Sequence, residues 1–201
     1  MGWYDWFASF YDRSLEPLYR DARRAAAEAL RALPDHAVLD LPCGTGQSFN
    51  YLAPRCRALV GVDLSLGMLR QARRRADHHG WTHIHLVQRD VHALTPADYP
   101  AVDRIDRLHV FLGLSAVPRW DVAFDQLWSL LAPGGRCVVV DVHSERLGVQ
   151  GRLVNLVAGA DIRRRTWEPL ERLAINFTLQ NLPRRREHGG QIFLATGDKP
   201  T

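Results

Sequence analysis

The chain has 201 residues, of which 46% are hydrophobic and 24% charged, with a formal net charge of +4. That balance and length describe a globular protein with a core of its own and exclude a disordered, collagenous or coiled-coil chain. No run of about 18 apolar residues is present, so a membrane-spanning helix is not expected. The start, Met1 to Phe10, lacks the basic-then-apolar pattern of a signal peptide. Cys43, Cys56 and Cys137 are scattered, with no C-x-x-C pair. A disulfide framework or zinc ribbon is therefore not expected, and a cytoplasmic location is.

In chain order, residues 15–32 read as a helix with Pro17 in its first turn and a run of alanines behind it. Ala37–Leu41 is a short apolar strand running into Pro42-Cys43-Gly44-Thr45-Gly46, which opens a helix reaching about Ala53. Ala58–Val62 is a second strand ending at Asp63. Ser65 caps the next helix, which turns Leu69, Ala72 and Ala76 inward and Arg73–Arg75 outward. His83–Gln88 and Arg104–Phe111 are a third and fourth strand. Asp121–Leu131 is a helix stopped before Pro133-Gly134-Gly135, and Arg136–Val142 is the strongest strand pattern in the chain. Residues 146–160 and Trp167–Leu173 read as helices. Ala174–Leu182 and Gln191–Thr196 form a closing hairpin around Gly189-Gly190.

Strands alternating with helices predict an α/β fold. The expected architecture is a doubly wound, mostly parallel seven-stranded sheet with an antiparallel terminal strand and helices on both faces, in a single domain over residues 1–201. Ligands of such sheets bind at the carboxyl ends of the strands.

The chemistry-bearing segment is Asp40-Leu41-Pro42-Cys43-Gly44-Thr45-Gly46. Its glycines let backbone approach a ligand with no Cβ in the way. Nineteen residues after Gly44, the second strand ends in Asp63, a spacing that suits a carboxylate accepting from two ribose hydroxyls. A dinucleotide site wants a third small residue three positions after the second glycine, and here that residue is Phe49. Asp40 would also repel a pyrophosphate but suits a ligand carrying an ammonium group. Ribose, a cationic amino-acid end and no phosphate together describe S-adenosylmethionine.

These residues resemble the class I S-adenosylmethionine-dependent methyltransferases, the seven-stranded Rossmann-like family. The first family motif lies at Asp40–Gly46, with Pro42 where Gly or Ala is common. The second lies at Gly61–Asp63, followed by Leu64 and Met68. The third lies at Arg89-Asp90-Val91, and a looser fourth at Asp106–Ser115. Leu130–Arg136 looks like the family's approach to its fifth strand, and Ile192–Thr196 like its inserted antiparallel strand. Tyr4 to Asp12 looks like the Tyr-Asp lid of quinone-biosynthesis and phospholipid N-methyltransferase branches.

The resemblance implies a cofactor site of Tyr4, Tyr11, Asp40, Pro42, Gly44, Thr45, Gly46, Asp63, Leu64, Met68, Asp90, Val91 and His109. Asp40 would hold the amino-acid end, Asp90 would read the adenine amino group, and Leu64 and Val91 would sandwich the base. The reaction would be in-line displacement at the sulfonium methyl. His109, His143 and Tyr11 are the catalytic candidates, as bases or acceptor-binding groups. Tyr4, Tyr11 and Trp167 are candidate lid aromatics, whereas Trp120 and Trp128 are expected in the core. His78, His79, His83 and His85 cluster without the carboxylates or thiols of a metal site.

Acceptor choice would rest with the lid and helix at residues 1–32 and an insert at residues 143–172. Apolar positions beside Arg152 and Arg163–Arg165 suit a small-molecule or lipid acceptor, such as an amine head group of the phosphatidylethanolamine kind, and shallow contact with an anionic membrane at its inner face. A quinone or phenol O- or C-methyltransferase is the alternative. An RNA methyltransferase and a dinucleotide-dependent oxidoreductase are the readings from other classes. No nucleic-acid partner is expected, because the basic runs, including Arg184–Arg186, are short.

Overall fold

The computed structural model describes residues 19–146, 148, 151, 155, 159–183 and 189–201. Residues 19–30 are helical (α1). There follow β1 (Ala37–Asp40), α2 (Phe49–Leu52), β2 (Ala58–Asp63), α3 (Leu66–His78), β3 (Ile84–Gln88), β4 (Ile105–Phe111), α4 (Trp120–Leu130), β5 (Leu131–His143), α5 (Glu168–Leu173), β6 (Ile175–Asn181) and β7 (Gln191–Asp198). The strands form one seven-stranded sheet in the order β3-β2-β1-β4-β5-β7-β6. Among β1 to β5 every pairing is parallel, and β7 runs antiparallel to both β5 and β6. The expected doubly wound sheet is therefore present, with its strand order reversing between β1 and β4.

Period-two alternation along the strands feeds two cores, one on each face. On one face Leu39, Val60, Leu108 and Val139 pack with Phe124 and Leu127 of α4 and Leu170 of α5. On the other, Val38, Leu59, Val138 and Val140 pack with Ala26 and Leu30 of α1 and Ala72 of α3. Strands covered on both sides should be continuously apolar, and Val138, Val139 and Val140 are each wholly buried.

Helix α1 runs opposite to the strands. Near its carboxyl end the Ala29 carbonyl accepts from Arg136 Nε at 2.7 Å, at the base of the sheet. Near its amino end Tyr19 meets Phe111, the last residue of β4, edge to face. Helix α1 therefore begins on the side where the strands end.

Two boundaries differ from expectation. Strand β5 starts at Leu131 rather than Arg136, because the glycine turn continues the pairing: Gly134 N donates to the Lys199 carbonyl and Lys199 N to that of Gly135. Helix α2 is a single turn, extended by a 3-10 turn over Ala53–Arg55 with Pro54 at its start. Trp128 is buried and Trp120 half-buried against the core, as the sequence suggests. Within the insert Gly151 and Asn155 are helical. Tyr4, Tyr11, Arg152 and Arg184–Arg186 lie outside the described residues. No helix among the described residues is long and apolar enough to cross a membrane.

Candidate active site

The parallel register sets the site. Asp40 ends β1 opposite Gly61 of β2 on one side and His109 of β4 on the other. Asp63 ends β2 opposite Gln88 of β3, two residues before Asp90. Three acidic side chains therefore stand at or just beyond the carboxyl ends of three adjacent strands.

Leaving β1, the chain crosses Leu41–Pro42, a cis peptide, and leans over β2, with Cys43 N donating to the Val62 carbonyl at 2.9 Å. Gly44 follows at φ +55°, a left-handed conformation, and a Cβ added there would meet nothing within 4 Å. This is an open strip of backbone. The Gly44 N–H donates to Asp63 Oδ2 at 2.9 Å, and Ser65 N to Asp63 Oδ1 at 2.8 Å. Each carboxylate oxygen is oriented by one backbone donor and keeps a lone pair for a ligand. Burial pushes the Asp63 acid above the usual range, against the pull of those N–H groups and with help from the Asp40 charge.

Gly46, at φ +77°, has a different task. A Cβ there would lie 2.7 Å from the Phe49 ring, and one on Gly61 would lie 2.9 Å from it. Phe49 is wholly buried. The aromatic ring that departs from a dinucleotide fingerprint fills the space both glycines leave open, and so locks the loop to β2. Thr45 is buried, and its carbonyl accepts from Arg75 Nε of α3 at 3.1 Å. The Pro42 ring lies against Gly113, where a Cβ would stand only 2.1 Å away. This contact ties the loop after β1 to the loop after β4.

Beside Asp63, Leu64 is 68% exposed, an apolar face held at the mouth of the site. Met68, half-buried, receives the cap that Ser65 Oγ gives its N–H. Asp90 is exposed, and its Oδ1 accepts from His92 N and lies 2.8 Å from His92 Nδ1. Those bonds, the backbone one foremost, hold the acid below its ordinary range. Val91 departs from expectation. It is buried in the α4-side core, so Leu64 alone of the expected pair offers an exposed face.

Asp40 and His109 are almost wholly buried, and Asp40 Oδ1 lies 2.7 Å from His109 Nδ1. Asp40 Oδ2 and His109 Nε2 are buried and have no partner among the described residues. A buried carboxylate oxygen with nothing to accept from is rare in folded proteins, and here it suits a cationic donor. The open Gly44 strip, the oriented Asp63 carboxylate, the exposed Leu64 and this orphan oxygen fit an adenosyl ligand with an ammonium at one end.

On the other side of the switch point, His143 ends β5. Its ring meets Trp167 edge to face at 4.9 Å, and its Nδ1 is buried without a partner among the described residues. Trp167 is buried between His143 and Phe193 and so belongs to the core rather than to a lid. Asp141, also buried, accepts from Ser115 N, Ser115 Oγ and Val142 N, and so fixes the loop after β4. The arginine run of the insert is occupied within the chain. Arg163 pairs with Asp161, Arg164 donates to the carbonyls of Ser115 and Val117, and Arg165 pairs with Glu168. His79 stacks on Trp81 and His83 lies 3.0 Å from the Ala53 carbonyl. Among the described residues no group of three or more His, Cys, Asp or Glu is placed to hold a metal.

Comparison with known proteins matches this geometry. A family model described as a methyltransferase domain covers residues 38–135. The demethylmenaquinone methyltransferase of Streptomyces avermitilis is 34% identical over 119 residues, 59% of this chain and 48% of that one. The trans-aconitate 2-methyltransferase of Methylobacterium nodulans is 33% identical over 157 residues, 77% of this chain and 56% of that one. The chain spans about half the length of the curated relatives it matches. Among solved structures, the N-methyltransferase NodS from Bradyrhizobium japonicum WM9 in complex with S-adenosyl-L-homocysteine superposes with a TM-score of 0.73 at 17% identity, covering 92% of this chain and 89% of NodS. Strand order, loop chemistry and the matched domain agree: the chain carries a methyltransferase domain on the seven-stranded fold of the class I S-adenosylmethionine-dependent methyltransferases.

Proposed function

We propose that the chain transfers the methyl group of S-adenosylmethionine to a small-molecule acceptor. The observation that carries this reading is the Asp63 carboxylate, held by the Gly44 and Ser65 N–H groups and one strand from the orphan oxygen of Asp40. Asp63 would accept from both ribose hydroxyls. Gly44 would let the ligand lie against backbone, Leu64 would cover one face of the adenine, and Asp90 would take its amino group. Asp40 Oδ2 would take the ammonium of the amino-acid end. The bound cofactor supplies an electrophilic methyl on a sulfonium. The protein's part is alignment, since positioning alone can contribute several orders of magnitude in rate.

For the acceptor we favour a quinol, phenol or enol over a lipid amine. The support is His143, half-buried beside Trp167 with a nitrogen unpaired among the described residues and suited to hold a proton from an acidic oxygen. Amine head groups attached to phosphate would want free guanidinium groups, and those of Arg163, Arg164 and Arg165 are engaged within the chain. A demethylmenaquinone methyltransferase among the relatives points the same way.

The test is calorimetry with S-adenosyl-L-homocysteine and NAD, followed by transfer of labelled methyl to a quinol, a phenol, a carboxylic acid and phosphatidylethanolamine vesicles. Binding of the homocysteine compound and labelling of the quinol or phenol are expected. Tight binding of NAD alone would overturn the proposal. Labelling confined to the vesicles would move the acceptor to lipid.

A further inference from the structure

Asp40 and His109 sit opposite each other in the β1–β4 register, where the strand order of the sheet reverses. Their side chains lie 2.7 Å apart through one oxygen and one nitrogen. Both side chains are almost wholly buried, yet the outer atom of each is unmatched among the described residues. The histidine is held in place from its other side as well. Its ring stacks on Phe111 at 5.8 Å and 9°. Phe111 in turn carries Tyr19 edge-on and the Arg23 guanidinium 4.8 Å from its centroid, both from α1.

A carboxylate hydrogen-bonded at one oxygen to a packed ring is restrained in orientation. We propose that His109 is a positioning residue: it donates Nδ1–H to Asp40 Oδ1 and thereby presents Asp40 Oδ2 to the ammonium of the cofactor's amino-acid end. This rests on the cofactor reading above and adds what makes the acidic side chain selective for that end. An unanchored aspartate in the same place would turn both oxygens toward whatever donor was nearest. Anchored, it offers one acceptor in one direction, and only a ligand with a donor there gains from it. The buttress of Phe111, Tyr19 and Arg23 links this selectivity to the amino end of α1.

The experiment compares two ligands on wild type, His109→Phe, His109→Asn, Asp40→Asn and the double variant Asp40→Asn/His109→Phe. S-adenosyl-L-homocysteine has the amino-acid end, and 5′-methylthioadenosine keeps the nucleoside but lacks that end. His109→Phe should weaken the first by roughly tenfold or more, the scale of a hydrogen bond to a charged group, and leave the second within about twofold. His109→Asn, whose amide can still donate, should recover most of the loss, and thermal melts check that each variant is folded. The double variant should bind no more weakly than Asp40→Asn, because the histidine acts through the aspartate.

Equal losses for both ligands, no loss for either, or additive losses in the double variant would overturn the proposal. A fall in kcat with unchanged affinity for S-adenosyl-L-homocysteine would overturn it in favour of His109 as a proton acceptor. A wild-type chain that binds neither ligand would sink the cofactor reading, and this inference with it.

Discussion

Replacing Asp63 separates what the carboxylate does for the fold from what it does for the ligand. In the free protein it accepts two backbone N–H groups, from Gly44 and Ser65. Asp63→Ala strands both donors in a partly buried loop, which should cost on the order of 2 kcal/mol of stability. In the complex it should lose two further charge-assisted bonds to ribose. At about 1.5 kcal/mol or more each, that amounts to roughly a hundredfold in Kd. Asp63→Asn keeps one acceptor and should fall between. The pH dependence is a second constraint. Burial raises this acid in the folded chain, so its contribution to stability is present below the unfolded pKa of about 3.9. That contribution is lost as pH climbs through the raised folded value. Ligand affinity moves the other way, because only the ionised form accepts from both hydroxyls. Calorimetry with S-adenosyl-L-homocysteine from pH 4 upward, alongside urea melts of wild type and Asp63→Asn, reads both trends. An Asp63→Ala protein that is folded and binds as wild type does would refute the assignment.

Leu64→Ser should leave thermal stability within about 0.5 kcal/mol, since the side chain is 68% exposed. It should weaken nucleoside binding by about 1 kcal/mol of lost apolar contact, and equal affinity would remove Leu64 from the site. Gly61→Ala should cost about 1–3 kcal/mol, because its Cβ would press on Phe49 at 2.9 Å and Leu86 at 3.0 Å. Adding Phe49→Leu should restore part of that in urea melts, and strictly additive costs would refute the packing argument. Asp141→Asn should become more stable relative to wild type as pH rises from about 4. Burial raises the wild-type acid, whose stabilising contribution fades as it ionises. A pH-independent difference would show that Asp141 carries no such penalty.

Much of this architecture is legible in the amino-acid string, because its determinants are local. Runs such as Val138–Val140 read as strands buried on both faces, and glycines, prolines and a serine cap mark where helices and turns begin. The arrangement of the candidate site is legible to the same depth. Gly44, Asp63 and Asp90 each stand just past the end of an apolar run, and a parallel sheet brings such ends together. Extra pairing at Gly134 and Gly135 was hidden, since its partner, Lys199, is 64–65 positions away. Trp167 reads as a lid aromatic because it sits in a polar arginine stretch. Only the folded chain shows it wedged between His143 and Phe193.

Phe49 looks in the sequence like a departure from a nucleotide fingerprint, and it becomes intelligible only beside Gly61. The two are 12 positions apart and in contact, so neither can be judged alone. The same holds for Asp40 and His109. Each is a plausible ligand-binding side chain by its place at the end of a strand, but 69 residues separate them. Their pairing depends on which strands are neighbours and in what register, information that no local pattern contains. Once β1 and β4 are adjacent and parallel, with Val38 opposite Arg107 and Leu39 opposite Leu108, the next step along the ladder sets Asp40 beside His109. The two side chains then share one face, each with an outer atom that no described residue satisfies.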